Sequence, residues 1–261
     1  MRAIRIGYQA RPQHGSFAAM RDSWLKAEEL GADAIYNWDH FYPLYDDPDG
    51  LHFECWTALA ALAEATSRVE VGALVTCMSY RNPNLLADMA RTVDHISAGR
   101  LTLGIGSGWF ERDYTEFGYE FGTAITRLHA FRDAIPVIKE RMAVGNPPPV
   151  RGKIPIMIGG GGEKVMLKLV AIHADIWHGF GSPEEIRHKC EVLDRHCADV
   201  GRDPAEIERS IMLNADELAE PAKFEEFVDA GATFFIYGTS GPDFPLEGLQ
   251  TLLDWRDLRA G

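Results

Sequence analysis

Residues Ile154–Asp175 read IPIMIGGGGEKVMLKLVAIHAD. An apolar run enters four consecutive glycines, and Glu163 and Lys164 then open a stretch whose apolar residues recur at helical spacing. Strand, bare turn, helix: this is one β–α unit, and the same unit recurs along the whole chain. Before it stand IRIGYQ (Ile4–Gln9), AIYNWDH (Ala34–His40), RVEVGALVTCM (Arg68–Met78) and RLTLGIGSG (Arg100–Gly108). After it come ADIWHGF (Ala174–Phe180), IERSIMLNA (Ile207–Ala215) and TFFIYG (Thr233–Gly238). Each is followed by a helical pattern. The first runs from Ser16 as N-cap to Gly31 as stop, and the third starts after Pro83. The next spans about Arg127–Met142, the sixth opens with Ser-Pro-Glu-Glu and ends at Gly201, and the seventh covers about Pro221–Ala230. Eight such units in 261 residues is the arithmetic of a (β/α)8 TIM barrel, an α/β fold forming a single domain over residues 1–261. A doubly wound open sheet is the alternative.

The bulk numbers narrow the partners. The chain is 46% hydrophobic and 25% charged, ordinary for a globular protein, and its net charge is −13. That excess of acid argues against nucleic acid and against an anionic membrane surface, which clustered Lys and Arg bind. No apolar run is long enough to span a bilayer. The opening MRAIRIGYQARPQ lacks the apolar core of a secretory signal, so we expect a cytoplasmic protein. Cys55, Cys77, Cys190 and Cys197 show no metal spacing, and we expect reduced thiols.

In a barrel of parallel strands the loops leaving the strand ends build the site. NWDHF sets the charged Asp39 beside His40 at such an end. Either the two are a structural pair, or Asp39 meets a bound heterocycle while His40 moves a proton near neutral pH. ALVTCM offers an apolar wall with Thr76 as its polar tip, or is a plain core strand. GIGSGW places glycines at alternate positions, as when something approaches the backbone closely, and its spacing is not the dinucleotide fingerprint. At Gly159, Gly160, Gly161 and Gly162 the backbone N–H groups are free to cradle a phosphate at a helix start; a ligand-free tight turn is the plainer reading. Nothing resembles a metal-ligand spacing or a nucleophile elbow, and no lysine closes a strand. Tyr8, Trp38, Trp109, Trp177 and Phe180 are candidates for an aromatic pocket lining.

Taken together, NWDHF, GALVTCMSYRNP, GRLTLGIGSGWFERDYTEFGYEF, IPIMIGGGGEKV and HKCEVLDRHCADVGRDP resemble the luciferase-like monooxygenase superfamily, in particular its branch of oxidoreductases that use the deazaflavin coenzyme F420. The resemblance runs over nearly the whole chain. It implies hydride transfer between F420 and a small-molecule substrate, with His40 as the catalytic acid or base and Asp39 against the deazaflavin ring. Leu74 and Val75 match a non-prolyl cis peptide behind the ring, and Thr76 and Cys77 match cofactor contacts. Ser107 and Gly108 match contacts to the ring's pyrimidine edge; Gly161, Gly162, Lys164 and Val165 match the phosphate-holding segment. No metal is implied. A homodimer is. The cofactor's anionic tail sits against a net charge of −13, so Arg11, Arg112, Lys164 and Lys168 are the cations expected to offset it.

Two departures stand out. Some sugar-phosphate dehydrogenases of the superfamily carry a catalytic glutamate where this chain has Trp109, with Glu111 two residues on. The short AVGNPPPVRGK connection (Ala143–Lys153) replaces a longer insertion, so the pocket is expected to be more open. An FMN-dependent monooxygenase and a catalytically silent cofactor-binding barrel are the competing readings.

Overall fold

The computed structural model describes residues 2–213, 215–218, 220 and 222–260. Among the described residues, nine parallel strands form the sheet: β1 (Arg5–Ala10), β2 (Ala34–Asn37), β3 (Glu70–Ala73), β4 (Thr76–Cys77), β5 (Leu101–Gly106), β6 (Ile156–Gly159), β7 (Ile176–Gly179), β8 (Glu208–Leu213) and β9 (Phe234–Thr239). β1 pairs with both β2 and β9, while β5 pairs with both β3 and β4, so the sheet closes on itself. β3 and β4 are two halves of one barrel strand. The result is the (β/α)8 barrel expected from the alternation, with the open sheet excluded by closure.

Helices α1 (Phe17–Leu30), α2 (Cys55–Ala65), α3 (Pro83–Ile96), α4 (Glu111–Phe117), α5 (Ala124–Val144), α6 (Met166–His173), α7 (Pro183–Val200), α8 (Ala215–Leu218), α9 (Ala222–Asp229) and α10 (Glu247–Ala260) surround it. The local signals act as expected. Ser16 Oγ accepts from the Ala19 N–H, Gly31 ends α1 at φ 108°, and Ser182 and Glu185 form a capping box at α7. α4 is an addition, since its short, polar run carries no helical periodicity. Ala215, expected at the end of a strand, instead begins α8. Asn214 and Pro221, expected in a strand and at a helix start, lie outside the described residues. The connection over residues 145–155 holds no helix or strand.

Alternation along the strands separates two cores. Phe234 and Ile236 point into the barrel with Ala34, Tyr36, Met157 and Ile176, whereas Phe235 points outward to Trp255 of α10. At the floor, Arg5 bridges Glu70 and Glu208, each at 2.7 Å, and Tyr36 and Thr102 hydroxyls donate to Glu70. Burial would lower the Arg5 pKa, but these carboxylates outweigh it and raise it. Burial still raises the Glu208 pKa, so pairing with Arg5 offsets only part of the cost of placing that carboxylate inside the barrel.

The third strand breaks at Leu74–Val75, whose peptide bond is cis. Three contacts hold the break. The Leu74 N–H donates to Asn37 O (2.8 Å), Gln9 Nε2 donates to Leu74 O (2.9 Å), and the Cys77 N–H donates to Asp39 Oδ2 (2.9 Å). The broken strand explains the first two glycines of GIGSG, while the third, Gly108, takes φ 78° and lies against Tyr114. A Cβ at Gly106 would sit 2.7 Å from Val75 Cγ2, and one at Gly104 would collide with the Ala73 carbonyl. What approaches the bare backbone is the neighbouring strand. Gly104→Ala is therefore expected to destabilise the fold by at least about 2 kcal/mol, the scale of core overpacking. Gly162→Ala, whose Cβ meets only Met166 at 3.4 Å, should stay within about 0.5 kcal/mol in urea denaturation.

Candidate functional site

The strand ends enclose a cavity of about 500 Å³. Asp39, His40, Leu74, Val75 and Cys77 line one side of it, and Ser107 and Gly108 continue the wall. Gly159, Gly160, Gly161 and Gly162 line the cavity from the end of β6. Trp38, Trp109 and Phe180 supply aromatic lining, Trp109 and Phe180 from the exposed rim. The structure leaves three expected contacts outside. Thr76 is fully buried and does not reach the cavity, because alternation along β4 turns it away while Cys77 faces in. Lys164 and Val165 lie on a separate surface concavity with Arg132, Lys168 and His173, beyond the turn that the glycines make. Tyr8 and Trp177 are core residues: the Tyr8 hydroxyl meets Ser23 and Thr239, and Trp177 Nε1 donates to Gly160 O (2.8 Å).

His40 is oriented by a residue the sequence did not single out. Asp113 of α4 is fully buried and sits 2.7 Å from His40 Nδ1. The same carboxylate accepts from the Phe41 N–H (3.1 Å) and the Tyr80 hydroxyl (3.0 Å). With Nδ1 held, Nε2 is the ring nitrogen left to the cavity. Trp38, Trp109 and Phe110 pack edge-on around the imidazole, at 5.4, 5.9 and 5.6 Å between ring centres. The spacing of 73 residues between His40 and Asp113 hides the pair from any local motif.

Asp39 is engaged differently from its neighbour. Arg81 reaches both of its oxygens, at 2.5 and 3.0 Å, in addition to the Cys77 N–H. Burial alone would lower the Arg81 pKa; hydrogen bonding and charge from Asp39 outweigh it and raise it. Asp39 is thus a clamp on the broken strand that also lines the cavity.

At the tetraglycine corner each residue has a distinct task. Gly159 lies under Val75, and Gly160 takes φ 131° while its N–H donates to His178 O (3.1 Å). The Gly161 carbonyl accepts from Lys189 Nζ of α7 (2.8 Å). The N–H groups of Gly161 and Gly162 find no acceptor among the described residues. The cation closest to this turn is therefore Lys189, which also reaches Glu163 at 3.3 Å. Among the described residues, no three His, Cys, Asp or Glu side chains are grouped to hold a metal ion.

Two further histidines are held neutral. His178 lines the cavity with Nδ1 2.9 Å from Ser210 Oγ and Nε2 buried and, among the described residues, without a partner; burial pushes its pKa from 6.5 down to about 3. Burial, then the nearby His40, lowers His52 to about 4, and its Nε2 accepts from Trp38 Nε1 at 3.2 Å. In the unfolded chain both return to about 6.5. Between about pH 6.5 and about pH 4 the unfolded chain thus binds more protons, and stability falls as pH falls. Urea midpoints should drop steadily from about pH 7 to about pH 4.5, each histidine adding up to roughly 1.4 kcal/mol per pH unit. His178→Gln should flatten that slope.

Against known proteins, residues 3–216 match the model of the luciferase-like monooxygenase family. An uncharacterized protein of Mycobacterium tuberculosis (strain H37Rv) is 26% identical over 196 residues, covering 70% of this chain and 68% of that protein. An F420-dependent glucose-6-phosphate dehydrogenase of Amycolatopsis mediterranei is 31% identical over 139 residues, 52% of this chain but only 41% of the dehydrogenase. Among solved structures, an F420-dependent secondary alcohol dehydrogenase in complex with an F420–acetone adduct superposes with a TM-score of 0.84 at 17% identity, over 97% of this chain and 98% of that one. With the family model spanning most of its length, the chain belongs to the luciferase-like monooxygenase family.

Proposed function

We propose that this chain is an F420-dependent oxidoreductase that transfers a hydride between the deazaflavin and a small organic substrate. F420-dependent enzymes among its relatives and fold neighbours support the cofactor. The observation that carries the reading is the His40 imidazole, pinned at Nδ1 by Asp113 and presenting Nε2 to the cavity.

The residues present fit a planar, anionic cofactor. Leu74 and Val75 form an apolar step for a flat ring, and the buried, unpartnered His178 Nε2 offers it a hydrogen bond. The unpaired N–H groups of Gly161 and Gly162, with Lys189 alongside, suit its phosphate. When bound, the deazaflavin supplies or receives two electrons as hydride. The protein contributes orientation and a proton. His40 Nε2 gives the proton to, or takes it from, the substrate oxygen, and Asp113 holds the ring in the tautomer that allows it. Trp38, Trp109 and Phe110 pack edge-on against the imidazole and steady its orientation. On this reading the enzyme works in the cytoplasm as a homodimer; no described helix is long and apolar enough to cross a membrane.

Fluorescence titration should show F420 bound at least tenfold more tightly than FMN; the reverse order would favour a flavin monooxygenase. On any alcohol or carbonyl found to turn over, His40→Gln should slow the reaction by about 10²–10⁴ with F420 affinity retained. Asp113→Asn should lower turnover in the same direction and displace the pH profile, while Asp113→Glu recovers part of the rate. Turnover indifferent to His40→Gln would point to the silent barrel instead.

A further inference from the structure

Arg11 follows β1 directly and lines the cavity, half-buried. Its Nε donates to Gln9 Oε1 (3.3 Å) and its Nη2 meets Met212 Sδ (3.5 Å). Its guanidinium carbon lies 5.6 Å from the Trp38 ring and 5.4 Å from the Tyr45 ring. Among the described residues no carboxylate lies within 4.0 Å of it, and Nη1 has no acceptor. Burial lowers its pKa with no anion to reverse the effect. In a chain of net charge −13, a half-buried guanidinium without an acid is costly unless an anion arrives from outside the protein.

The topology says which part of a bound pair it serves. β1 and β6 are four strands apart in either direction around the barrel, so Arg11 and the tetraglycine corner stand on opposite walls. The cofactor phosphate and its tail were the expected partners of Arg11, yet the corner suited to the phosphate is across the mouth. Arg11 instead shares a wall with His40, and Trp38 touches both. Around it are Trp38, Leu44 and Tyr45, a single cation and apolar surface. That setting suits a monoanion with a flat face, since a planar carboxylate matches the guanidinium fork while a phosphate dianion would need further donors.

We propose that Arg11 selects the substrate, and that the substrate class is an organic carboxylate, its hydrophobic body lying against Trp38 and Tyr45 and its reacting carbon toward His40. The substrate class rests on the oxidoreductase reading; the anion site does not. The test is calorimetric titration of phenylacetate and of its neutral isostere phenylacetamide into the full chain, both cofactor-free and loaded with F420. Phenylacetate should bind roughly tenfold to hundredfold more tightly in at least one form. Arg11→Met should erase that preference and Arg11→Lys should keep part of it, with thermal unfolding showing that each variant is folded. Equal affinity for the two probes in both forms of the unmutated chain overturns the proposal, whether or not the variants fold. So does a preference that survives Arg11→Met, or an Arg11→Met variant that loses F420 affinity with its carboxylate preference intact, which would assign Arg11 to the cofactor tail. F420 binding is measured separately, so a chain that binds phenylacetate through Arg11 but ignores F420 sinks the oxidoreductase reading alone.

Discussion

The buried Asp39–Arg81 pair is the interaction on which the site depends. It sits where the third barrel strand breaks, and Asp39 Oδ2 accepts from Cys77 N–H as well as from Arg81. That acceptor adds to the β4–β5 ladder in returning the strand to the sheet. A buried carboxylate stripped of its guanidinium typically costs several kcal/mol, so the charges enforce each other's position. The break in turn delivers Val75 to the cavity, and Val75 requires the glycines beneath it. One ion pair, one broken strand and a strip of bare backbone are a single device.

Much of this was legible in the sequence. The alternation of strand and helix gave the barrel, because period-two and helical patterns are local and each helix carries its own caps. The glycine strip was legible as a place of close approach, although Val75 rather than a ligand is what approaches Gly106. What stayed hidden was long-range. Asp113 lies in a short polar helix without periodicity, and only the folded chain brings it to His40. Lys189 reaches the Gly161 carbonyl from the next helix, whereas Lys164, three residues further along the chain, faces the outside. Proximity in sequence to a turn says little about which side of the turn a long side chain takes. Thr76 shows the same limit at shorter range, since one step along a strand exchanges cavity for core.

The electrostatics of the mouth are asymmetric. An acidic protein sets one cation in its cavity and a second behind the glycine corner on the opposite wall, and it treats them differently. Lys189 is tethered to a carbonyl and to Glu163, its charge already shared. Arg11 lies against aromatic rings and, among the described residues, is shared with no acid. A charge that is already compensated can steady a ligand; one that is not can select it. His178 and His52, both held neutral by burial, add no positive charge between the two cations at neutral pH.

The enclosure of His40 has a consequence for where a hydrogen comes from. Three aromatic rings flank the imidazole and a buried carboxylate holds Nδ1, so among the described residues Nε2 is the nitrogen left to the cavity. With the Nδ1 hydrogen committed to Asp113, the neutral ring presents a lone pair at Nε2 to whatever fills the cavity. On the proposed reading, the ring therefore begins as the base when the substrate is an alcohol, and must first be charged from solvent when it is a carbonyl.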